Sequence, residues 1–502
     1  MGSALLAYCN SSEHRSVCGT PTGQCSELPW LLQEPQFRSG EMVKLYVLAI
    51  ILGSFFPSHG TDVGPDILMR VNEKAAELIC LSQRSVFQNI LAAIQIPNFT
   101  SGSVLGISLL NIVGIQIKKV DISQLSVDFV PETKSEFTLE ADLSIEAKVL
   151  LTTLKLKMAV QIGAEVAISK GAKGSPVGTV TACTSVLGQL QLVSPGVLSI
   201  SLDLLQNHLH RIFNEQLCLK ITLVFDLLDV KLEAFSALTA FGPVSQIQYT
   251  LTRVPETTTE VVDFGLNVIF YISGEKLDLD LAPISISLPA PSSSSSPLLS
   301  LALSENVFVL LYTAIQESGL LNFEITGQTI GVEIELTTAA LSVAIPEINE
   351  LYPDSLAVIL KIVVSRSPVF TLEADKLTLH LIPSVDIIVK PPNEDAKSLM
   401  VLDFDVLLRV TLQVVHGKLW SSAVLIGDLS FSLQTSAMGS IDVSELQSLI
   451  GNTLMDAYLL HLNEALSVEL TLPTLLNMDL NEPTIAINPG FVLLSFVLQL
   501  PL

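Results

Sequence analysis

The chain has 502 residues, with 50 Asp and Glu against 26 Lys and Arg, a formal charge of −24. That balance argues against nucleic acid as a partner, and against strong binding to endotoxin or another anionic surface, since each needs clustered cations. Half the residues are hydrophobic (49%) and few are charged (15%), yet no uninterrupted apolar run is long enough to span a bilayer as a helix. The chain reads as an α+β protein with more apolar side chain than its own core requires, although by composition alone a large β protein rich in Leu, Val and Ile accounts for the excess better than a lipid site does.

The first legible element is a leader. Lys44 supplies a basic start, residues 45–56 are apolar, and Ser58 and Gly60 are the small residues before a cut; the order is that of a secretory signal. The apolar run rises about 18 Å as a helix, short of the roughly 30 Å of a hydrocarbon core, so it reads as a signal peptide over 42–60. Residues 1–41 then form a non-structural extension from an upstream start or alternative first exon, holding Cys9, Cys18, Cys25 and the sequon at Asn10. The mature, secreted protein is expected to begin near Thr61.

Beyond the leader, Ile67, Leu68, Val71, Ala75, Leu78, Ile79, Val86 and Ile90 recur at helical spacing, and predict an amphipathic helix over 65–90. Asn98 opens the sequon "NFT", a glycan acceptor if exposed. "KSEFTLEADLSIEAKVLL" alternates apolar and polar residues and predicts a half-buried antiparallel strand. "LKLKMAVQIGAEVAI" repeats the pattern, and "SKGAKGSP" turns the chain into a further strand ending at Cys183. Ser194 as cap and Pro195 at the first position predict a second helix, with Leu198, Leu202, Leu205, Leu209, Ile212 and Phe213 as its stripe. Cys218 is placed just after it, with strands resuming there and "VVDFGLNVIFY" closing the half.

Three cysteines remain after the leader, Cys80, Cys183 and Cys218. In a secreted context they read as one disulfide and one leftover thiol. A Cys183–Cys218 bond would staple the second helix to the sheet, while Cys80 falls in the first helix's apolar pattern as a buried thiol.

"LAPISISLPAPSSSSSP" cannot build a core and reads as a junction. The pattern then recurs. Ser304 caps a helix with Val307, Phe308, Leu311 and Ile315; alternating strands follow; Asp442 and Glu445, at capping-box spacing, open a helix with Leu446, Leu449, Ile450, Leu454 and Tyr458; "GFVLLSFVLQL" ends the chain. The expected organisation is an extension 1–41, signal 42–60, a first half 61–281, a Pro/Ser-rich linker 282–297 and a second half 298–502.

Paired cysteines in "TVTACTSV" and "NEQLCLKI", the strand "VDFGLNVIFY" before a Pro-rich connection, "LALSENVFVLLYTAIQESGLLNFEIT", "PSVDIIVKPPN" and the terminal strand together make the chain resemble one family. It is that of bactericidal/permeability-increasing protein, lipopolysaccharide-binding protein and the long nasal and airway PLUNC proteins. The resemblance implies an elongated boomerang of two pseudo-symmetric twisted antiparallel β-barrels, each with two amphipathic helices, joined by a central sheet. It also implies a lipid pocket between helices and sheet in each half. Its candidate lipid contacts are Ile67, Leu68, Val71, Leu78, Leu202, Leu205 and Leu209 in the first half, and Val307, Leu311, Leu446, Ile450 and Leu454 in the second. The turn that is strongly basic in bactericidal relatives carries only Lys170 and Lys173 here.

No nucleophile elbow, zinc-protease motif, paired C-x-x-C or P-loop is present. His208 and His210 are two apart, which points them to different sides of a helix and argues against a shared metal; no catalytic residue, metal or cofactor is expected. The sequence thus predicts a secreted protein that holds, or also carries, a phospholipid or other acyl-chain lipid. The alternative is a host-defence or interaction module that recognises microbial surfaces or a protein partner the sequence does not name.

Overall fold

The segment expected as one helix over 65–90 is a strand followed by two helices. Ile67–Asn72 is a strand, β1, with Ile67, Met69 and Val71 buried and Leu68, Arg70 and Asn72 partly exposed, the period of two that a sheet imposes. The helix starts only at Glu73: α1 spans Glu73–Ser82 and α2 Arg84–Ala92. Asn72 caps α1, its Oδ1 accepting from the Ala75 N–H at 2.8 Å. Spacing misled here because positions 67, 71 and 75 satisfy both periods, and pairing of β1 with strands far along the chain decides between them.

The computed structural model describes residues 64–497, apart from 105–106, 132–133, 150–151, 194–201, 291–296, 330–335, 477, 479 and 481; the side chains of 101–110, 449–450 and 452–453 are also outside the description. The extension, the signal, the expected helix start at Ser194 and Pro195, and the Ile450 side chain therefore lie outside the described residues.

The first-half sheet runs in the order β2 (Phe99–Val104), β3 (Ile107–Val130), β4 (Lys134–Val149), β5 (Thr152–Lys170), β6 (Pro176–Leu187). Its β4 shows the expected alternation, buried at every second residue from Ser135 to Val149. Irregularities in the β3–β4 register, between Val113 and Gln116, Ile117 and Lys119, and Ile122 and Gln124, bend the sheet around the helices.

Helix α3 runs from Leu202 to Leu232, well past Cys218, so no strand resumes there. The sequence "CLKITLVFD" looks strand-like in composition, yet Leu217, Ile221, Val224 and Leu228 continue the buried stripe of Leu205, Leu209, Ile212 and Phe213 at helical spacing.

A central sheet has the order β19 (Thr484–Asn488), β20 (Phe491–Phe496), β10 (Leu299–Ser304), β1, β9 (Val261–Ile272), β8 (Ser245–Leu251), β7 (Thr239–Phe241). Here β1 pairs antiparallel with β10, Ile67 opposite Leu303 and Val71 opposite Leu299. The start of each expected half therefore shares one sheet with the other. From β10 the chain enters α4 (Glu305–Glu317), buried almost all round. Ser304 occupies the expected cap position, but its hydroxyl makes no cap bond; instead the Gly490 carbonyl accepts from the Glu305 N–H at 2.9 Å.

In the second half, β11 (Phe323–Ile325) precedes the short helices α5 (Thr338–Leu341) and α6 (Glu347–Leu351), and α7 is Ser444–Leu466. The expected capping box is displaced: Asp442 Oδ1 accepts from the Ser444 N–H at 3.0 Å, just ahead of the helix. The sheet runs β11, β12 (Val358–Val363), β15 (Ser384–Val389), β16 (Lys397–Val415), β14 (Lys376–Leu381), β13 (Val369–Glu373). Strands β14 and β15 take successive lengths of one edge of β16, and β17 (Lys418–Leu425) and β18 (Ser430–Ser436) those of the other.

The two expected barrels are not formed. Among the described residues the first-half sheet ends open at β2 and β6 and the central sheet at β19 and β7, and only the second-half sheet curls into a half-barrel. In the first half the reason is α3, which lies between the two free edges and bonds to both. His208 Nε2 lies 3.2 Å from the Pro97 carbonyl and Gln216 Nε2 donates to the Gln95 carbonyl at 3.2 Å, both just before β2. On the other side Cys218 is bonded to Cys183 of β6, and His210 Nε2 lies 3.1 Å from the Gly188 carbonyl. A helix occupies the position where a closing ladder would run.

Candidate lipid site

Under the C-terminal part of α3 lies a cavity of about 180 Å³. Its floor is the inner face of the curved sheet: Val127 and Phe129 of β3, Phe137 of β4, Val166 and Ile168 of β5, Pro176 and Gly178 of β6. The pleat puts these positions on one face. Phe225, Leu228 and Leu232 of α3 form one wall and Ala76, Ile79 and Cys80 of α1 another; Val71, Val262 and Phe264 of the central sheet close an end with Leu475 and Leu476. Ala76, Ile79 and Cys80 of α1, Phe225 and Leu232 of α3, Ile168 and Leu476 are half-buried, so the cavity is not sealed from solvent.

Aromatic packing holds the floor to the walls. Phe137 stacks on Phe87 of α2 at 5.2 Å between ring centroids and meets the edge of Phe225 at 5.5 Å. The Cys183–Cys218 bond fixes α3 against β6 just under two turns before Phe225.

The polar groups on this surface are few. Ser135 of β4 is buried on the sheet's inner face and its Oγ has no hydrogen-bond partner. Asp229 of α3 accepts from the Gly178 N–H at 2.8 Å; burial raises its pKa, opposed by that N–H and reinforced by Asp226. Burial also pushes the Cys80 thiol up to about 12, with Glu77 adding to the effect. These groups offer no activated nucleophile, and no cluster able to hold a metal occurs among the described residues.

Of the residues expected to contact lipid, Val71 lines the cavity. Ile67, Leu205 and Leu209 are buried in the core elsewhere, and Leu68, Leu78 and Leu202 are partly exposed. Leu209 stands about 24 Å along the helix axis from Phe225. In the second half Val307, Leu311, Leu446 and Leu454 are packed into the core. The residues sequence reasoning missed are chiefly Phe225, Leu228 and Leu232, and the signal for them was the apolar spacing that continues through Leu217, Ile221 and Val224.

Outside the cavity, Lys173 pairs with Glu233 at 2.8 Å and Lys170 donates to the Thr252 carbonyl at 3.3 Å, so both lysines of the turn are engaged within the protein. Asn98 is exposed, and its Oδ1 accepts from the Gly114 N–H at 3.0 Å. No helix among the described residues is long and apolar enough to cross a membrane.

Residues 78–232 match the N-terminal domain of the LBP / BPI / CETP family and 239–500 its C-terminal domain. Human BPI fold-containing family B member 2 is 26% identical over 450 residues, covering 89% of this chain and 97% of that one. Its mouse counterpart is 28% identical over 435 residues, covering 86% and 93%. Among solved structures, that of lipopolysaccharide binding protein superimposes with a TM-score of 0.56 at 18% identity, over 88% of this chain and all of the other.

Proposed function

The chain belongs to the LBP / BPI / CETP family and is a secreted lipid-binding protein rather than an enzyme; we propose that it holds the hydrocarbon of a phospholipid or other acyl-chain lipid in the cavity between α1, α3 and the curved sheet. The observation that carries this reading is a space of about 180 Å³ walled almost wholly by Val, Ile, Leu and Phe. It exceeds the apolar cavity of about 150 Å³ that takes up benzene in another protein. Five or so methylenes sheltered there contribute about 4 kcal/mol, and the half-buried lining, Ile79 and Leu476 included, leaves the rest of a chain a way out.

The same reading treats 61–281 and 298–502 as the two halves, joined through 282–297, and Asn98 as a glycan acceptor. Engagement of Lys170 and Lys173 by the protein's own groups supports weak rather than strong attraction for endotoxin.

The test is extraction of secreted protein followed by mass spectrometry of the extract, with Ile79→Trp as comparison. A lipid recovered from the wild type and depleted at least severalfold in Ile79→Trp is the expected result. Lipid-free wild type, or equal loading of both, overturns this placement.

One observation favours a second reading, an interaction module. Leu219, Leu223, Leu227 and Val230 form an exposed apolar row on the outer face of α3, a face that a protein partner or a microbial surface could cover. Changing all four to Gln without effect on any binding of the secreted protein would remove that support.

A further inference from the structure

The polar groups of the cavity say which headgroup suits it, on the premise that the cavity is the lipid site proposed above. No Lys, Arg or His is among its lining residues, whereas one carboxylate, Asp229, is. An anionic headgroup drawn to this surface would meet a negative charge with no compensating cation, which is repulsive at low dielectric. The carboxylate is held in place: its Oδ1 accepts from the Gly178 N–H at 2.8 Å. Gly178 presents no side chain there, and a Cβ on it would come within 3.7 Å of Phe225 Cδ1 and 3.9 Å of Asp229 Oδ1.

Ser135 supplies the second observation. It interrupts an otherwise apolar inner face, on a strand where Phe137, Leu139, Ala141 and Leu143 follow it at every second position. Its hydroxyl is buried at the cavity surface with nothing to bond. A buried hydroxyl left unmade is unfavourable, and a ligand bearing a hydroxyl would satisfy it. Ser135 lies opposite Val166 in the β4–β5 ladder, and Val166 Cγ1 comes within 3.4 Å of the Cβ position at Gly178. The hydroxyl and the Gly178–Asp229 pair thus belong to neighbouring positions on three adjacent strands and the helix above them.

We infer that the cavity selects a single-chain lipid with an uncharged, hydroxyl-bearing headgroup, of the fatty-alcohol or monoacylglycerol class, over fatty-acid anions and anionic phospholipids. Ser135 exchanges hydrogen bonds with the ligand hydroxyl, and Asp229 excludes anionic heads.

The experiment measures retention of radiolabelled hexadecanol and palmitate by the full secreted chain on gel filtration at pH 8. Wild type, Ser135→Ala, Asp229→Asn and Ile79→Trp are compared, each checked for a wild-type thermal transition. Asn keeps an acceptor for the Gly178 N–H while removing the charge. The expected result is at least tenfold tighter retention of hexadecanol than palmitate by wild type. Asp229→Asn narrows that gap severalfold by strengthening palmitate, and Ser135→Ala weakens hexadecanol about fivefold. Equal retention of both probes, or a gap that Asp229→Asn leaves unmoved, overturns the inference while leaving the cavity as a lipid site. Retention of neither probe by wild type, or retention unchanged in Ile79→Trp, overturns the cavity assignment itself.

Discussion

Arg70 of β1 and Asp263 of β9 stand directly opposite one another in the central sheet and meet in a two-pronged ion pair, with Nε to Oδ1 and Nη2 to Oδ2 both at 2.7 Å. Both side chains are mostly shielded, at 19% and 18% exposure, and the remaining Arg70 Nη1 donates to the Pro289 carbonyl at 2.8 Å. The pair therefore fixes the β1–β9 register and also pins the Pro-rich segment against the sheet.

Removing one partner leaves the other charge partly buried and unmatched. Asp263→Ala is expected to lower the unfolding free energy by about 2 kcal/mol. The double change Arg70→Met with Asp263→Leu should fall within about 1 kcal/mol of wild type, because apolar partners of similar size avoid the desolvation penalty. Urea titration of the secreted protein measures both, and a double variant no better than Asp263→Ala alone would show that the pair does more than satisfy itself.

The disulfide carries a larger share. Cys183 and Cys218 are 35 residues apart, so in the chain-entropy account their bond contributes about 4 kcal/mol. Its position matters as much as its size, since it joins β6 to the middle of α3 beside the cavity. Replacing both by Ala should lower stability by about that amount and reduce bound lipid, because Phe225 and Leu228 lose their fixed distance from Gly178. Stability near wild type with full lipid loading would show that the contacts of His210 with the Gly188 carbonyl and of the Asp229 carboxylate with the Gly178 N–H suffice to hold this edge.

Cys80 should behave in the opposite way. Burial, aided by Glu77, pushes its thiol up to about 12 from the ordinary 9.0, so at pH 8 its thiolate population is about a thousandfold below that of an unperturbed thiol. Alkylation by iodoacetamide at pH 8 is expected to be negligible in the folded protein and prompt in urea. Rapid labelling of folded protein would mean that the thiol faces solvent instead of the cavity.

These contrasts also explain what the sequence disclosed. Strand β4 was legible because one sheet face is core and the other solvent, which writes a period of two into 134–149 with no competing signal. The Cys183–Cys218 bond followed from the three cysteines left after the leader together with their places, Cys183 at the end of a strand pattern, Cys218 after a helix pattern and Cys80 within an apolar helical stripe. The ends of helices were not legible. Ile67, Val71 and Ala75 fit a strand and a helix equally, and only pairing with Leu266 and Leu303, some two hundred residues on, makes 67–72 a strand. Cys218 looked like a boundary because Ile221, Thr222, Val224 and Phe225 are strand-prone, a local preference that burial of Leu217, Ile221, Val224 and Leu228 along one face overrides. That boundary set the expected pocket wall at Leu202, Leu205 and Leu209. Closure of the barrels depends on whether β2 meets β6, and no local pattern records that a helix stands between them.

Asp66 gives the last test, of pH dependence. Its Oδ2 accepts from the Val268 N–H at 2.8 Å, and its carbonyl accepts from the Ser304 N–H at 2.9 Å, so it bridges β9 and β10 at the end of β1. Burial raises its pKa above the ordinary 3.8, and the Val268 N–H only partly offsets this. A raised folded value means that the folded state binds the proton more tightly than the unfolded chain does. Between the ordinary value and the raised one the folded state carries more protons, so this group's contribution to stability falls as pH rises through that window and stays lower above it. Asp66→Asn keeps an acceptor for the Val268 N–H and removes the buried charge. It should therefore be more stable than wild type at pH 7, and the advantage should shrink as the pH is taken below the ordinary carboxylate range, where Asp66 is neutral in both states. Unfolding titrations of both proteins from pH 3 to pH 7 decide the point: a variant less stable than wild type at pH 7, with the difference constant across the range, would show that the charged carboxylate is the better partner for Val268.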